Sequence, residues 1–429
     1  MPKVLTSKNK NGINNDRVYW YLLISVWMIY VCTMIAKSIY NAEIIEIMNA
    51  FKVNKTVAGY ATTAYYLTYG FMQLVIAKIL PKIDIRKYIV ITVSLAAVCT
   101  ALVGAVTEIW HIWILLALDG IFHAAVWPGC VLIVGKYLPV RMQASANALL
   151  SVGFATGFIL SYLFSALFIG LGKWELTFWI FGLITLIPVL LFNISLKKVE
   201  KTSENVQESD KTSSSSEFNH LNHKLIQRYL TVFFITICVT SFLVNIVYYG
   251  VNNWIPNLMY DVFSVPSSVS TLVSVLVPIA GIAGPLIAIR LTSKHNLWYV
   301  SAGITSVSVV LLFAMIFGYN TNIIFSLTAS IVLLTALRGT NNTIATSLVL
   351  KTRNLFNAGS FAAIINALAS LGASVAPPLT GRIIDAFGGD RTMYYIILLV
   401  VLFASVVLMF VLNRLTKRLR VLRKSVLTN

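Results

Sequence analysis

The chain has 429 residues, of which 58% are hydrophobic and 11% carry a charge. Soluble domains carry roughly 25% charged residues, so this composition argues against a water-soluble enzyme. The net charge of +18 is typical of cation-rich cytoplasmic loops on a membrane protein and does not require nucleic-acid binding. The four cysteines all lie within hydrophobic runs, so we expect neither a disulfide framework nor a metal site.

Hydrophobic runs long enough to cross a bilayer occur in two sets of six. A helical span needs about 20 residues. The first set covers 18–42, 59–80, 88–107, 111–135, 144–170 and 176–195, and the second covers 229–250, 270–290, 297–318, 323–349, 358–381 and 392–413. The pattern predicts an all-α membrane protein with twelve transmembrane helices in two six-helix bundles.

Polar segments divide the chain into five parts. A polar N-terminal tail (1–17) precedes the first bundle (18–196), and a basic tail (414–429) follows the second bundle (229–413). Between the bundles, residues 197–228 are rich in serine and in charges of both signs. Such a segment cannot bury enough apolar area to offset its ordering entropy, so we expect a flexible linker.

The distribution of Lys and Arg predicts the orientation of the spans. With the N-terminus inside, the cytoplasmic loops and tails hold 26 of the 33 cations. The opposite side holds Lys52, Lys55, Lys173, Arg382 and Arg391. Because cytoplasmic loops are enriched in Lys and Arg, both termini are predicted to be cytoplasmic and the protein to lie in the cytoplasmic membrane.

The two sets of runs carry a weak internal repeat. Ala144 and Gly157 in the fifth run lie 215 residues before Gly359 and Gly372 in the eleventh. Such repeats are typical of transporters built from two related halves, although small residues also occur wherever membrane helices pack.

A lysine lies within the first hydrophobic run, where an ionisable side chain is energetically costly and is commonly functional. Lys37 shares one helical face with Thr33, Tyr40 and Asn41. We predict that this face lines a central cavity. A lysine that reaches the membrane interface is the alternative.

An arginine lies near the middle of the tenth run. Asn341 and Asn342 follow Arg338 by one helical turn, so the three side chains lie on one face. A guanidinium at this depth needs a partner, water or an anionic ligand. We predict an anionic solute, and a structural ion pair is the alternative.

The fourth run holds Asp119, His123 and Trp127 at intervals of four residues, which predicts a single helical face. A histidine with a carboxylate one turn away can take up a proton and release it when its exposure changes. His123 and Asp119 are therefore candidates for proton coupling, with a hydrogen-bonded packing histidine as the alternative. His123 also lies 215 residues before Arg338, the same shift as in the repeat.

Neutral polar residues lie on one face in the second and seventh runs. They are Thr62, Tyr66, Tyr69 and Gln73 in the second, and Asn245, Tyr248, Tyr249 and Asn252 in the seventh. The predicted solute site comprises Lys37, Tyr40, Asn41, Tyr66, Tyr69, Trp127, Tyr248, Asn252, Arg338, Asn341 and Asn342. We expect Glu43 and Glu46 to line an outer vestibule or to face solvent, and Trp110 and Trp254 to be interfacial anchors.

Three short motifs resemble those of a known family. Residues 120–130 (GIFHAAVWPGC) resemble a Gly…Trp-Pro-x-Cys segment, residues 381–388 (GRIIDAFG) a Gly-x-x-x-Asp-x-Phe-Gly segment, and residues 248–256 (YYGVNNWIP) an Arg-Tyr-Gly-x-x-x-Trp-x-Pro segment. All three belong to the organophosphate:phosphate antiporters of the major facilitator superfamily. The resemblance implies the major facilitator fold, alternating access and a central site between the halves.

The chain departs from this branch at the phosphate site. In these antiporters an arginine from each half clamps the phosphate, and the matching positions here are Ala36 and Tyr248. Lys37 matches the lysine that follows the first arginine, and it also matches a first-helix arginine of the anion:cation symporters. His123 falls where those symporters place a proton-carrying glutamate. The cytoplasmic Gly-x-x-x-Asp-Arg signature is degraded to AKILPK at residues 77–82.

These patterns predict a secondary active transporter, an antiporter or a symporter, for a small organic anion such as an organophosphate or a carboxylate. Proton or anion exchange would drive it, and a proton or phosphate is the expected second solute. The sequence shows no Walker loop, zinc motif or nucleophile elbow, so we expect no enzymatic activity, no cofactor and no metal. We also expect no nucleic-acid partner, and we expect the protein to be a monomer in the lipid bilayer. Three alternatives are a non-transporting solute sensor of the same fold, an exporter of drugs or amphipaths, and a channel.

Overall fold

The computed structural model describes residues 10–203, 224–348 and 358–427, and within these ranges the chain forms helices and no strand. The helices of the first half are α1 (Lys10–Ala42), α2 (Ile44–Phe51), α3 (Lys55–Ile79), α4 (Ile85–Val103), α5 (Ile109–His123), α6 (Val126–Tyr137), α7 (Val140–Gly170) and α8 (Glu175–Ser203). Those of the second half are α9 (Lys224–Asn252), α10 (Ile255–Phe263), α11 (Ser267–Val273), α12 (Leu276–Gly281), α13 (Ala283–Lys294), α14 (Leu297–Gly318), α15 (Ile323–Asn342), α16 (Ala358–Ala386) and α17 (Thr392–Leu427). The prediction of an all-α protein is confirmed.

Membrane-spanning character is widespread in the described part of the chain. Eleven helical segments are long and apolar enough to cross a membrane. They do not include α3, a 25-residue helix that contains several Thr and Tyr residues. This helix packs between α5 of the first half and α16 of the second half. It therefore lies at the interface of the two halves.

Prolines divide two of the predicted spans. The fourth run forms α5 and α6, and the eighth run forms α11, α12 and α13. Each division falls at or next to the residue four positions before a proline, namely Pro128, Pro278 or Pro285. A proline ring clashes with the carbonyl group four residues earlier and provides no backbone N–H, so the helix is interrupted there.

Several helices extend beyond the predicted span boundaries. Helix α1 begins within the predicted N-terminal tail, α8 and α9 extend into the predicted linker, and α17 continues through most of the basic tail. Polar residues such as Lys, Arg and Glu are good helix formers, so a hydrophobic run identifies only the apolar part of a longer helix. The described residues exclude 204–223, the central part of the predicted linker, and 349–357, which start at the last residue of the tenth run.

The glycines of the internal repeat make equivalent contacts in the two halves. Gly157 of α7 packs against α1, and a Cβ atom added to it would lie 2.4 Å from Cβ of Met34. Gly372 of α16 packs against α9, and its added Cβ would lie 2.4 Å from the carbonyl oxygen of Phe242. In each half, a glycine thus lets the fifth span of that half approach its first span closely.

Candidate functional site

The two halves are held together at one end of the molecule, which we call the closed end. There the carboxylate of Asp385, near the end of α16, accepts hydrogen bonds from both the backbone N–H (2.9 Å) and Oγ1 (2.8 Å) of Thr56. Thr56 lies in the first turn of α3, where backbone N–H groups lack partners within the helix and favour a negative charge. The carboxylate of Asp385 thus caps the N-terminus of α3, a helix of the opposite half.

A second carboxylate at the closed end joins two cations. Oδ2 of Asp261 lies 3.1 Å from Nζ of Lys55 in the first half and 3.3 Å from Nη2 of Arg391 in the second half. Nη2 of Arg391 also donates to Oδ1 of Asn257 at 2.8 Å, and the arginine is only 1% exposed. The distribution of cations predicts that Lys55 and Arg391 lie on the outer side of the membrane, and the structure pairs both with this carboxylate.

A third set of contacts joins α11 to the last residue of α1 and to the first turn of α2. Oγ1 of Thr271 donates to the carbonyl oxygen of Ala42 at 3.0 Å, and the hydroxyl of Ser267 donates to Glu46. Further along the interface, Oγ1 of Thr63 donates to the carbonyl oxygen of Ser374 at 2.6 Å. Together with the two carboxylates, these contacts seal the closed end.

A cavity of about 320 Å³ lies between the halves, next to the sealed region. Its volume falls in the lower part of the range for small-molecule sites. The first half contributes Tyr30, Met34, Lys37, Tyr66, Tyr69, Gln73, Trp127 and Phe154, and the second half contributes Ser241, Asn245, Tyr248, Tyr249, Pro285, Arg338, Asn341, Asn342, Ala345, Ile365, Asn366, Ala369, Ser370 and Ala373. The wall is therefore aromatic and amide-rich, with two cations and no carboxylate among these lining residues.

Aromatic rings surround the first cation. Nζ of Lys37 lies 4.9 Å from the ring centre of Tyr66 and 4.8 Å from that of Tyr69. Contacts of this kind stabilise a cation by about 0.5–2 kcal/mol, depending on its solvation. They leave the charge without a counter-ion, because no carboxylate of the described residues forms a salt bridge with Lys37.

The second cation crosses the interface between the halves. Cζ of Arg338 on α15 lies 3.7 Å from the ring centre of Phe154 on α7. Within the described part of the chain, Arg338 also forms no salt bridge with a carboxylate. Its guanidinium therefore keeps donors that a ligand can use.

Amide side chains beside Arg338 form a link between two helices. Asn245 on α9 and Asn341 on α15 exchange hydrogen bonds of 3.1 and 3.3 Å. The side-chain nitrogen of Asn342 is buried and has no hydrogen-bond partner among the described residues. A buried amide without a partner is energetically unfavourable, so it is suited to bind a polar ligand group.

The structure brings most of the predicted site residues together. Lys37, Tyr66, Tyr69, Trp127, Tyr248, Arg338, Asn341 and Asn342 line the cavity. Asn252 lines a smaller adjoining space, which it shares with Arg338 and Tyr248.

Tyr40 and Asn41 do not line the cavity, contrary to their predicted place. The hydroxyl of Tyr40 donates to the carbonyl oxygen of Ala58 at 2.7 Å, and Oδ1 of Asn41 accepts from Oγ1 of Thr62 at 3.2 Å. They lie about one turn nearer the closed end than Lys37, where α1 packs against α3. Their polar groups are therefore used in packing between helices.

The predicted common face of Asp119, His123 and Trp127 does not form. Trp127 lines the cavity, whereas the other two side chains are each 1% exposed within the first half. Nδ1 of His123 lies 3.3 Å from Oδ2 of Asp119, and the imidazole is near the ring of Tyr65. Ala124 and Ala125 separate α5, which carries Asp119 and His123, from α6, which carries Trp127.

Two expectations about the ends of spans are wrong. Glu43 is fully buried, and its Oε1 accepts a hydrogen bond of 2.7 Å from Oγ1 of Thr177, so it neither faces solvent nor lines a vestibule. Trp254 is 1% exposed and donates from Nε1 to Oγ1 of Thr380 at 2.9 Å, so it is not an interfacial anchor. Tertiary packing covers both side chains.

Some cavity residues were absent from the predicted site. Tyr30 lies seven residues before Lys37, so helical spacing alone would have placed it on the same face. Asn366 and Ser370 form a polar pair one turn apart in the eleventh run and would also have been recognisable. Phe154 carries no such signal, because an aromatic residue in a hydrophobic run is expected to contact lipid or protein core.

Comparison with known sequences identifies the family. The profile of the Major Facilitator Superfamily matches residues 26–377. The benzoate transport protein of Acinetobacter baylyi is 21% identical over 339 residues, which cover 72% of each chain. The membrane sensor protein UhpC of Salmonella typhimurium is 25% identical over 124 residues, which cover 28% of each chain.

Solved structures share the fold over nearly the whole chain. A bacterial homologue of the human lysosomal transporter Spinster, in an inward-facing and unoccupied conformation, superposes with a TM-score of 0.75 at 15% identity and covers 94% of this chain and 98% of its own. The nucleoside transporter NupG superposes with a TM-score of 0.65 at 14% identity and covers 93% and 99%. The family resemblance seen in the motifs is confirmed: this chain belongs to the Major Facilitator Superfamily of membrane transporters.

Proposed function

We propose that the protein carries a small organic anion across the cytoplasmic membrane by alternating access. The observation that supports this function is the pair of cations, Lys37 from one half and Arg338 from the other, that face one cavity without a carboxylate partner among the described residues. Like charges in a medium of low dielectric constant repel each other, and a bound anion relieves that repulsion.

The proposed topology has twelve spans with both termini in the cytoplasm. Helix α3 supplies the twelfth span, since 25 residues at about 1.5 Å each exceed the roughly 30 Å of the hydrocarbon layer. Its packing against α5 and α16 explains how a helix of lower hydropathy is tolerated. In this orientation the closed end faces outward and the cavity is reached from the cytoplasm.

The lining of the cavity supports a planar carboxylate as the solute rather than an organophosphate. The arginine pair that clamps phosphate in the antiporters is absent, with Ala36 and Tyr248 in the matching positions. Tyr66 and Phe154 place their rings against the two cations, and the ring of Tyr30 lines the same cavity. The similarity to a benzoate transport protein agrees with an aromatic carboxylate as the first candidate.

Binding of the anion would bias the conformational equilibrium. The carboxylate would be held by Lys37 from the first half and by Arg338 and Asn342 from the second half. A ligand shifts a two-state equilibrium only through its different affinity for the two states. An anion that contacts both halves favours the state in which the two cations come closest, which provides the route from the inward-open state to the occluded state.

Proteoliposomes test this function directly. Uptake of benzoate, other carboxylates, organophosphates and zwitterions should be measured with and without a pH gradient, for the parent, Lys37→Ala and Arg338→Ala. We expect an aromatic carboxylate to be transported and each variant to lose at least about tenfold, as the loss of a charge-assisted bond of 1.5–3 kcal/mol implies. Lys173→Ala, at an exposed loop cation, is the matched control. Parental uptake by both cavity variants would refute the assignment.

The same assay tests the coupling ion. We assign proton coupling to the buried pair His123 and Asp119, which can exchange a proton when the first half changes its exposure. Uptake by His123→Gln should lose its dependence on the pH gradient. An unchanged dependence would eliminate this pair and leave anion exchange as the driving reaction.

A solute sensor is the second candidate, because part of the chain resembles the membrane sensor protein UhpC. A sensor would bind the anion and would not move it across the membrane. Binding of benzoate by calorimetry, combined with no uptake of any solute in the panel, would favour the sensor over the transporter.

A further inference from the structure

Glu43 is a buried acid that neither the cavity nor the ion pairs of the closed end use. It lies between α1, which ends at Ala42, and α2, and its side chain is 0% exposed. One carboxyl oxygen accepts from Thr177, and the other, Oε2, has no hydrogen-bond partner among the described residues. The hydroxyl of Ser165 is also buried and has no such partner within that part of the chain.

The position of Glu43 links it to the interface between the halves. Thr271 of α11 donates to the carbonyl group of Ala42, which belongs to the peptide unit joined to Glu43 itself. Glu46, which follows Glu43 by one helical turn, accepts a hydrogen bond from the hydroxyl of Ser267. A movement of the backbone at Glu43 therefore displaces two groups that accept hydrogen bonds from the second half.

The surroundings of Glu43 disfavour a negative charge. Burial raises the pKa of the Glu43 carboxyl to about 8, and the carboxylates of Glu46 on α2 and Glu175 on α8 act in the same direction. The hydroxyl of Thr177 opposes this shift in pKa without cancelling it. No cation of the described residues forms a salt bridge with Glu43. A buried carboxylate without a cation is unstable, so the neutral acid is favoured while the end is sealed.

We propose that Glu43 is a proton-operated element of the outer gate, neutral while the closed end is sealed and ionised when that end opens to water. The inference rests on the alternating access and the orientation proposed above. On closure the carboxylate takes one proton from the outer solution, and on opening it returns that proton to the same side. The hydrogen bonds of Thr271 and Ser267 form when the neutral side chain is buried.

The sign of the pH effect follows from linkage. The sealed state holds the proton at higher pH than the open state does, because water solvates the carboxylate once the end opens. Acid therefore favours the sealed state. As the pH rises from the ordinary range of a glutamate to about 8, the sealed-to-open ratio should fall by up to about tenfold per pH unit.

Distance measurements between spin labels test the proposal. The labels are placed on the full-length protein in nanodiscs through Lys173→Cys and Asn320→Cys, two exposed loop positions at the closed end in opposite halves. The four native cysteines are buried, so we expect the spin label to react with them slowly. Spectra are recorded from pH 5 to pH 9 without solute.

In the parent we expect the open fraction to grow as the pH rises. Glu43→Gln, which mimics the neutral acid, should remain sealed across the whole range. Glu108→Gln makes the same change at an exposed carboxylate between α4 and α5 and should keep the parental profile.

A second, milder variant keeps the proposal testable if Glu43→Gln does not fold. Thr177→Val removes a donor that stabilises the ionised carboxylate, so its opening midpoint should move to higher pH. The proposal would be overturned if the distance between the labels in the parent did not depend on pH, or if Glu43→Gln kept the parental pH profile. Opening that follows sodium concentration at fixed pH would overturn it as well. Because no solute is present, failure of anion uptake would count against the proposed function and not against this gate.

Discussion

Two regions of the interface between the halves each hold a lysine and an arginine, and they differ in whether a carboxylate pairs with these cations. At the closed end, Lys55 and Arg391 share the carboxylate of Asp261. In the cavity, Lys37 and Arg338 lie against aromatic rings, and no carboxylate of the described residues forms a salt bridge with either. Both regions join the two halves, so position at the interface does not explain the difference.

The two regions differ in the source of the counter-ion. A protein carboxylate between the cations of the closed end holds the halves together without any ligand. In the cavity the aromatic rings stabilise the cations only in part, so the remaining attraction is available to a solute. The comparison supports the proposal that one region holds the halves together and that the other binds an anionic solute. Each substitution considered next gives one region a feature of the other or removes a feature that distinguishes it.

The largest effect is expected when the cavity receives its own carboxylate. Asn342→Asp places an acid one helical turn from Arg338, where it can pair with the guanidinium. The pair then competes with the transported anion, and uptake should fall roughly a hundredfold, corresponding to about 3 kcal/mol of lost attraction.

Asn342→Ala is the matched control for this variant. It removes the same amide without adding charge and should lose at most about tenfold in uptake. Equal uptake by the two variants would show that the charge of the cavity does not govern binding.

A smaller effect is expected when the closed end loses its carboxylate. Asp261→Asn leaves Lys55 and the buried Arg391 without a counter-ion, which should destabilise the sealed state by about 2 kcal/mol, or roughly thirtyfold in the sealed-to-open ratio. Spin labels at Lys173→Cys and Asn320→Cys measure this ratio. Asp84→Asn, at an exposed carboxylate of the opposite end, should change nothing, and an unaltered ratio in Asp261→Asn would contradict the role of the ion pairs.

The smallest effect is expected from the ring beneath Arg338. Phe154→Leu keeps an apolar side chain and removes the cation–π contact, so the KM for the transported anion should change by about two- to fivefold, as expected for 0.5–1 kcal/mol. Phe164→Leu, at an exposed ring of the same helix, is the control. If both variants behave alike, Phe154 does not position the guanidinium.

The cavity was largely recognisable from the sequence, whereas the closed end was not. Lys37 and Arg338 were conspicuous because a cation within a hydrophobic run is rare and needs an explanation. Arg391 and Asp261 lie in polar segments outside the predicted runs, where charged residues are ordinary, and they are 130 residues apart. Only the tertiary structure brings them together, with Nη2 of Arg391 3.3 Å from Oδ2 of Asp261.

The regular helix assumed in reading spacing also limited the prediction. Four-residue intervals placed Trp127 with His123 and Asp119, yet only Trp127 lines the cavity, and a helix interruption lies between it and the other two. The proline was visible in the sequence, but the direction of the chain after a break depends on the helices packed around it. Tyr40 and Asn41 share the predicted face of Lys37 and are covered because α3 approaches α1 near the closed end.

The amino-acid sequence by itself determined the helical class, the membrane location, the family and the two cations of the cavity, because hydrophobic runs and misplaced charges are local properties of the chain. The tertiary structure decided which polar groups find partners: Glu43 is buried beside Thr177, Asp261 joins Lys55 to Arg391, and Lys37 lies between two tyrosines. Charge neutralisation depends on distances between residues far apart in the chain, and those distances are set only when the two halves pack together.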